Sequence, residues 1–307
     1  MVTRHDYRGG VWIDLEQPSA DEIREIAQEF SVSERLEREL HSPTPTPMVV
    51  NEGDAELLVL HFPAHGAEDG KTENQELDFI VGKEFIITVR YAVVAPLHHL
   101  QKLLETQKLV AAQVALTTDV LLEVLFAHLY TSVHDHTNHT VSRLASIETD
   151  MFDGAERRTI LSILQVSREF LHMETAIANQ EEPLGRFIEH LGAKNYFGPT
   201  FLERGERILA SRTQIAHLVK THRAVAAELR ETNIALLESH QNEIMKTLTV
   251  ISFILMPLEL LTIMLGMHLP GTPFFDSNPN SFWVALAFLF SVAGIMIIVA
   301  ARKRWLN

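Results

Sequence analysis

Asn242, Met245, Thr249, Ser252, Met256, Glu259 and Ile263 follow one another at steps that alternate between three and four residues. That spacing lines one face of a helix in a supercoiled bundle. Most of these side chains are polar, whereas the other faces of the same stretch carry mainly Leu, Ile, Val and Phe, with Thr247 and Thr262 as exceptions. Glu259 is the one ionisable group in residues 248–265, LTVISFILMPLELLTIML. A carboxylate near the middle of an apolar span costs roughly 2.5–3.5 kcal/mol on insertion scales. Neither apolar run of this chain offers it a basic partner. Two kinds of chemistry fit. A ring of such carboxylates, one from each of several copies, lines a path for cations. Alternatively, a protonated Glu259 hydrogen-bonds between helices and nothing is transported. The cation path is the preferred reading, because a polar stripe in lipid turns toward a bundle axis or a water-filled pore.

Other chemistries find less support. There is no cysteine, which excludes disulfide frameworks, zinc ribbons and thiol catalysis. The sequence holds no HExxH, no P-loop and no GxGxxG after a strand. A net charge of −14 argues against a general nucleic-acid binder. Among the 16 histidines, His128, His134, His136 and His139 cluster. On a helix His128, Asp135 and His139 share a stripe, as a metal sensor would need, but solvated positions on a long amphipathic helix explain them more simply.

The elements that must position the stripe are legible around it. Residues 248–265 and 282–301 (FWVALAFLFSVAGIMIIVAA) are both about long enough to cross a hydrocarbon core. The second run is followed by Arg302-Lys303-Arg304-Trp305, residue types that belong at a membrane interface. Between the runs, residues 266–281 contain no Lys or Arg, while Lys246 precedes the first. The positive-inside rule therefore places both chain ends in the cytoplasm. Before residue 242 the chain holds 22 basic and 37 acidic side chains, and after it 4 and 3, so an acidic soluble part precedes a nearly neutral membrane part.

In the soluble part, residues 11–15 (VWIDL) read as a strand, and Ser19-Ala20-Asp21-Glu22 has the spacing of a capping box that opens a helix to about residue 30. Residues 33–40 suggest another short helix. Pro43, Pro45 and Pro47 make a stiff connector. Strands are predicted over 57–62, 77–81 and 84–89, the last two joined at Gly82-Lys83 as a hairpin. Helices are predicted over 96–107, 118–153 and 157–180. From residue 201 to 267 there is no proline except Pro257, and apolar residues recur at Ile208, Ile215, Leu218, Val225, Leu229, Leu236 and Leu237. One helix of about 100 Å would run from the soluble part into the membrane. Such a helix needs partners along its length, which favours an oligomer.

At these residues the chain resembles the CorA-type divalent-cation transporters, the two-span GxN superfamily. Asn242-Glu243-Ile244-Met245-Lys246-Thr247-Leu248-Thr249 is similar to that family's cytosolic approach to the pore helix, and Met256-Pro257-Leu258 and Gly266-Met267 occur at the family's mutual spacing. The terminal Arg302-Lys303-Arg304-Trp305-Leu306, the VWIDL strand with Pro18-Ser19, and residues 79–89 (FIVGKEFIITV) add to the likeness. The resemblance implies an α+β cytosolic domain with a long helical stalk and two transmembrane helices, assembled as a homopentameric funnel in the inner or plasma membrane. It implies a cytosolic strand-helix domain (1–95), a long-helix and stalk region (96–241), a pore-lining first span (242–267), an external loop (268–281), a second span (282–301) and a basic tail (302–307). By the same likeness Asn242, Met245, Leu248, Thr249, Ser252, Met256, Glu259 and Ile263 face the pore, with Met245, Leu248 and Met256 as apolar constrictions.

The cargo implied is a divalent cation, magnesium first, with cobalt and nickel alongside. No enzyme activity and no resident cofactor are implied. Three departures bear on the expectation. The family's Gly-Met-Asn signature reads Gly266-Met267-His268. In the family that Asn ring holds a hydrated cation through amide oxygens. Imidazole accepts a hydrogen bond only when neutral and can ligate zinc, cobalt or nickel directly, whereas magnesium prefers oxygen and keeps its waters. Glu259 stands where the family usually has Thr, and the stalk reads Arg204-Gly205-Glu206-Arg207-Ile208 where an inter-subunit regulatory metal site is often built. The loop from Gly266 to Pro273 also resembles the zinc-transporting ZntB branch. The alternatives are therefore a zinc or other transition-metal transporter, with or without proton coupling, and a membrane-anchored cytosolic sensor that does not conduct.

Overall fold

The computed structural model describes residues 1–63, 74–108, 116–266 and 281–303. Two compact units divide it, Met1–Arg230 and Glu231–Asn307.

The first unit is built on a six-stranded sheet of β1 (Val2–Tyr7), β2 (Gly10–Glu16), β3 (Met48–Glu52), β4 (Ala55–Pro63), β5 (Asn74–Val81) and β6 (Phe85–Arg90), in the order β1-β2-β6-β5-β4-β3. Every neighbouring pair is antiparallel except β2 with β6, which run parallel with Asp14 opposite Thr88 and Glu16 opposite Arg90. The predicted hairpin at Gly82-Lys83 is the β5–β6 turn, closed by a bond from Gly82 N to Phe85 O. β1 and β3, absent from the sequence reading, are the two sheet edges.

Side chains alternate across the pleat, so each central strand feeds two cores. Val11, Ile13 and Leu15 of β2, Leu57 and Val59 of β4, and Ile87 and Val89 of β6 meet Ile23 and Ile26 of α1 (Ala20–Glu29) and Leu36 of α2 (Glu34–Glu39). Each such fully buried side chain contributes about 1.5–3 kcal/mol. α1 opens on the predicted capping box, with Ser19 Oγ accepting from Glu22 N and Ser19 N donating to Glu22. The opposite face packs on helices: Phe79 stacks on Phe126 at 5.0 Å and Phe62 lies 5.9 Å from Tyr130.

Those helices are α3 (Ala95–Lys108), α4 (Thr118–Asp150), α5 (Glu156–Ala178) and α6 (Glu181–Ala193). α4 and α5 meet at a wider turn, Met151–Ala155, where Gly154 has φ +90, a conformation that suits a residue without Cβ. They then run back along one another, with Tyr130 Oη donating to Gln180 at 2.9 Å and His136 bonded to Glu169 at 2.9 Å.

α7 (Thr200–Gly266) is a single helix of 67 residues that includes Pro257. At 1.5 Å per residue it is about 100 Å long, as the sequence predicts. Its buried seam in the first unit passes through Ile208, Ile215, Val219, Ala226 and Leu229. Leu218 is half-buried and Val225 exposed, unlike the predicted spacing, because four-and-three steps from Ile215 lead to Val219 and Ala226. In the second unit α7 continues and is followed by α8 (Ser281–Arg302). The apolar parts of both helices are long enough to cross a membrane.

Candidate functional site

The predicted site residues of the first span all lie on α7, and all eight are exposed: Asn242, Met245, Leu248, Thr249, Ser252, Met256, Glu259 and Ile263. With 3.6 residues per turn, the seven on the three-four spacing fall within about 100° of arc. The less exposed residues of the same stretch are Val250, Ile254, Pro257, Leu258 and Leu261, and they occupy a different side. The polar stripe is thus a coherent open face, bordered by exposed Ile244, Leu255 and Met264. Gly266 is the last residue of α7. Met267 and His268 of the predicted selectivity motif lie outside the described residues.

The three threonines of the span share one hydroxyl geometry and differ in the face they occupy. Thr247 and Thr262, off the stripe, donate to the carbonyls of Glu243 (3.0 Å) and Leu258 (2.7 Å) one turn back. Their hydroxyl hydrogens are satisfied within the helix, so these positions can face hydrocarbon at low cost. Thr249, on the stripe, likewise donates to Met245 O at 2.7 Å. With its hydrogen taken by that carbonyl, the oxygen keeps the capacity to accept, which suits the water shell of a cation. Pro257 sits within the helix between Met256 and Glu259. Its missing N–H and its ring bend a helix at that point, two residues from the carboxylate.

The base of α7 is fixed by charges far apart in sequence. Arg204 and Arg207 both reach Glu123 of α4, at 2.9 and 2.6 Å, and Arg204 also pairs with Asp119 at 2.8 Å. The hydrogen bonds from Arg207 and Arg204 outweigh partial burial and hold the Glu123 carboxyl below its usual range. Between the two arginines, Gly205 lets α6 approach: a Cβ there would come within 2.3 Å of Ile188. The segment Arg204–Ile208 that departs from the metal-site pattern therefore works here as an anchor of the stalk. Sequence reasoning missed Glu123 as its partner, since 81 residues separate it from Arg204.

The histidine cluster divides. His136 is buried and bonded to Glu169, which also accepts from Thr140 (2.8 Å) and Arg143 (2.6 Å). His134 bonds Asn138 on the solvent side, and His139 is exposed. Among the described residues no three His, Asp or Glu side chains converge as metal ligands.

A sequence model described as "CorA-like Mg2+ transporter protein" matches residues 7–303 of the chain. Among individual proteins, the cobalt/magnesium transport protein CorA of Methanocaldococcus jannaschii is 21% identical, over 99% of this chain and 94% of its own length. That of Thermotoga maritima is 25% identical over 52% of this chain and 45% of its own. The fold matches the complete structure of the CorA magnesium transporter from Methanocaldococcus jannaschii with a TM-score of 0.81 at 19% identity, covering 98% of this chain and 92% of that one. It matches the ZntB cytoplasmic domain from Vibrio parahaemolyticus with a TM-score of 0.61 at 14% identity, covering 76% and 89%.

Proposed function

The chain belongs to the family of CorA-like Mg2+ transporter proteins, and from that premise we propose that it conducts magnesium, with cobalt and nickel as further cargo, through a pore lined by α7 of five copies. The family is one of ion transporters rather than enzymes. The observation that carries the reading is the exposed stripe of α7 with Glu259 in it. A helix whose apolar flanks and polar face are both open needs two kinds of cover. Lipid suits Ile244, Ile251 and Leu255. The polar stripe is served by the same stripe of other copies around water.

On this reading each part of the stripe has a task. Asn242 stands at the cytoplasmic end. Met245, Leu248 and Met256 form rings narrow and apolar enough to exclude water when closed. Thr249 and Ser252 offer oxygen to a hydrated ion between those rings. Ile263 lies beyond Glu259, and five Glu259 carboxylates supply the negative field that offsets the cost of bringing a divalent cation into low dielectric. Gly266, Met267 and His268 form the outer mouth. Both termini lie on the cytoplasmic side.

A second reading is favoured by one residue. His268 stands where the family has an amide, and imidazole takes zinc, cobalt or nickel more readily than magnesium. Zinc transport, with or without coupling to protons, follows if that ring chooses the ion.

The test is flux into liposomes holding the purified protein, with magnesium, cobalt, nickel and zinc compared side by side. Magnesium flux that falls, or changes its ion order, in Glu259→Gln while the pentamer stays intact by size-exclusion chromatography is the expected result. Unchanged flux and selectivity in that variant would remove Glu259 from the path. No flux of any of the four ions from intact wild-type pentamers would leave the membrane-anchored sensor as the better account.

A further inference from the structure

A cleft of about 410 Å³ lies in the first unit between residues 43–47, β4, β5 and the end of α5. Its rim is the sequence Pro43-Thr44-Pro45-Thr46-Pro47. Prolines carry no N–H, so this strap has amide hydrogens only on Thr44 and Thr46. Thr44 is held by all of its polar groups. Its N–H lies 2.8 Å from both oxygens of Glu76, and its hydroxyl donates to Glu76 Oε1 at 2.8 Å. Its carbonyl accepts from His61 Nε2 at 3.0 Å. A carbonyl only accepts, so that nitrogen carries the proton, and it also lies 3.4 Å from Glu76 Oε2.

Beneath this fastening lies a second carboxyl. Asp78 is two residues from Glu76 on β5 and projects from the same face. It is 1% exposed. Tyr91 Oη is 2.9 Å from Leu40 O and 3.2 Å from Asp78 Oδ2. The tyrosine has one hydroxyl hydrogen for both acceptors, so Asp78 receives only a shared and longer bond from it. Asp78 Oδ1 is sealed from solvent with no other donor, and the Glu76 carboxylate is its charged neighbour. An ionised Asp78 would thus be a buried anion beside another anion with only the shared hydrogen of Tyr91 to offset it, an arrangement proteins avoid by keeping a proton.

We propose that the proton on Asp78 is the pin of a clasp that fastens the 40–47 strap over the cleft, and that its loss as pH rises releases the strap. The pin sits under both fastenings, Tyr91 on Leu40 and Glu76 on Thr44. The titratable groups facing it are Glu76 from β5, His61 from β4 and Tyr91 after β6. From α5 and the turn after it the cleft receives Ala176 and Asn179, neither of which titrates. Burial, then the charge of Glu76, pushes the Asp78 carboxyl well above its usual range. Burial also pushes Glu76 up, but its bonds from His61 and Thr44 outweigh it and keep the carboxyl below its usual range. Of the two carboxyls Glu76 is therefore the stronger acid, and the proton they compete for stays on Asp78. Ionising Asp78 places two charges together and repels the carboxylate that holds Thr44.

Amide hydrogen exchange on the full chain in detergent tests this, read at residue level on the 40–50 peptide and corrected for the intrinsic pH dependence of exchange. Thr44 should be protected near pH 7, with exposed Thr46 as the comparison. Protection should fall as pH rises toward about 9.5, by about tenfold for each pKa unit that separates the clasped from the open strap. Asp78→Asn keeps a neutral polar group in place and should show no such fall. If that variant does not fold, Glu76→Gln, which removes the opposing charge, should flatten the profile in its place. Constant Thr44 protection between about pH 6.5 and 9.5 in the wild type, or the same fall in wild type and a folded variant, would overturn the clasp.

Discussion

Replacing Glu169 by Gln removes one charge from the seam between α4 and α5. Glu169 is only 14% exposed at its side chain, yet it accepts from His136, Thr140 and Arg143. Burial alone would raise its carboxyl. The bonds from His136 and Thr140 and the charge of Arg143 outweigh that and bring it down from 4.5 to about 2. A fall of about 2.5 units corresponds to about 3 kcal/mol of differential stabilisation of the ionised form. The sign follows from the depression. The contribution is present in full above the unfolded value of about 4.5 and is lost as pH falls through the folded value of about 2. Glu169→Gln should therefore melt about 6–12 °C below wild type at pH 7. Intrinsic tryptophan fluorescence of the detergent-solubilised chain reads this shift. The gap should narrow as pH drops from about 4.5 toward 2.5, since the wild type then loses what the variant never had. A loss that is steric in origin would give one gap at all pH values. A gap of equal size at pH 7 and pH 3, or none at pH 7, would refute the electrostatic account.

Flux through wild-type protein should fall as external pH drops from about 7.5 to about 5.5, because protonated imidazoles at position 268 place positive charge before the cation; His268→Asn should lose most of that response and favour magnesium over zinc in the liposome assay. A single Cys at Ser277 should react with an impermeant thiol reagent from outside whole cells while a Cys at Asn307 should not, and labelling of both from one side would overturn the two-span topology. Arg90→Met, which leaves Asp14 charged and buried beside Thr88 and Gln101, should cost about 3–5 kcal/mol in denaturant unfolding; adding Asp14→Asn should recover much of it, and a single variant as stable as wild type would refute the role of the pair.

What could be read from the sequence was local. The capping box at Ser19, the turn at Gly82-Lys83 and the long helices each depend on residues within a few positions of one another. β1 and β3 were not legible because edge strands lack the buried alternation: in β1 only His5 is buried, and β3 has no fully buried residue. α6 was missed because Pro183, Gly185 and Gly192 interrupt its helical pattern. Pro183 lies in its first turn, where a missing N–H is harmless. The stripe on α7 stood out because polar residues in an apolar run have few neutral explanations. The contacts of Glu123 with Arg207 and of Glu76 with Thr44 had no signal, since each joins elements distant in the chain.

The single parallel joint of the sheet, β2 against β6, has a consequence for how the chain finds its fold. β2 is complete by Glu16, but its partner begins at Phe85. Some seventy residues must be looped out before the two can meet, at an entropic cost that nearby hairpins do not bear. β4, β5 and β6 pair in sequence and can zip as they emerge. The β1–β2 hairpin has to wait and then find a register on a preformed edge, the step that high contact order makes slow. An error of one residue would turn Val11, Ile13 and Leu15 out of their core. Arg90 Nη2 lies 2.9 Å from Asp14 and 2.7 Å from Glu16, with Arg90 2% exposed. Those contacts form only when Asp14 stands opposite Thr88. The buried ion pair thus selects the correct docking among near-equivalent slides, and substitutions at Asp14 or Arg90 should slow refolding as well as speed unfolding.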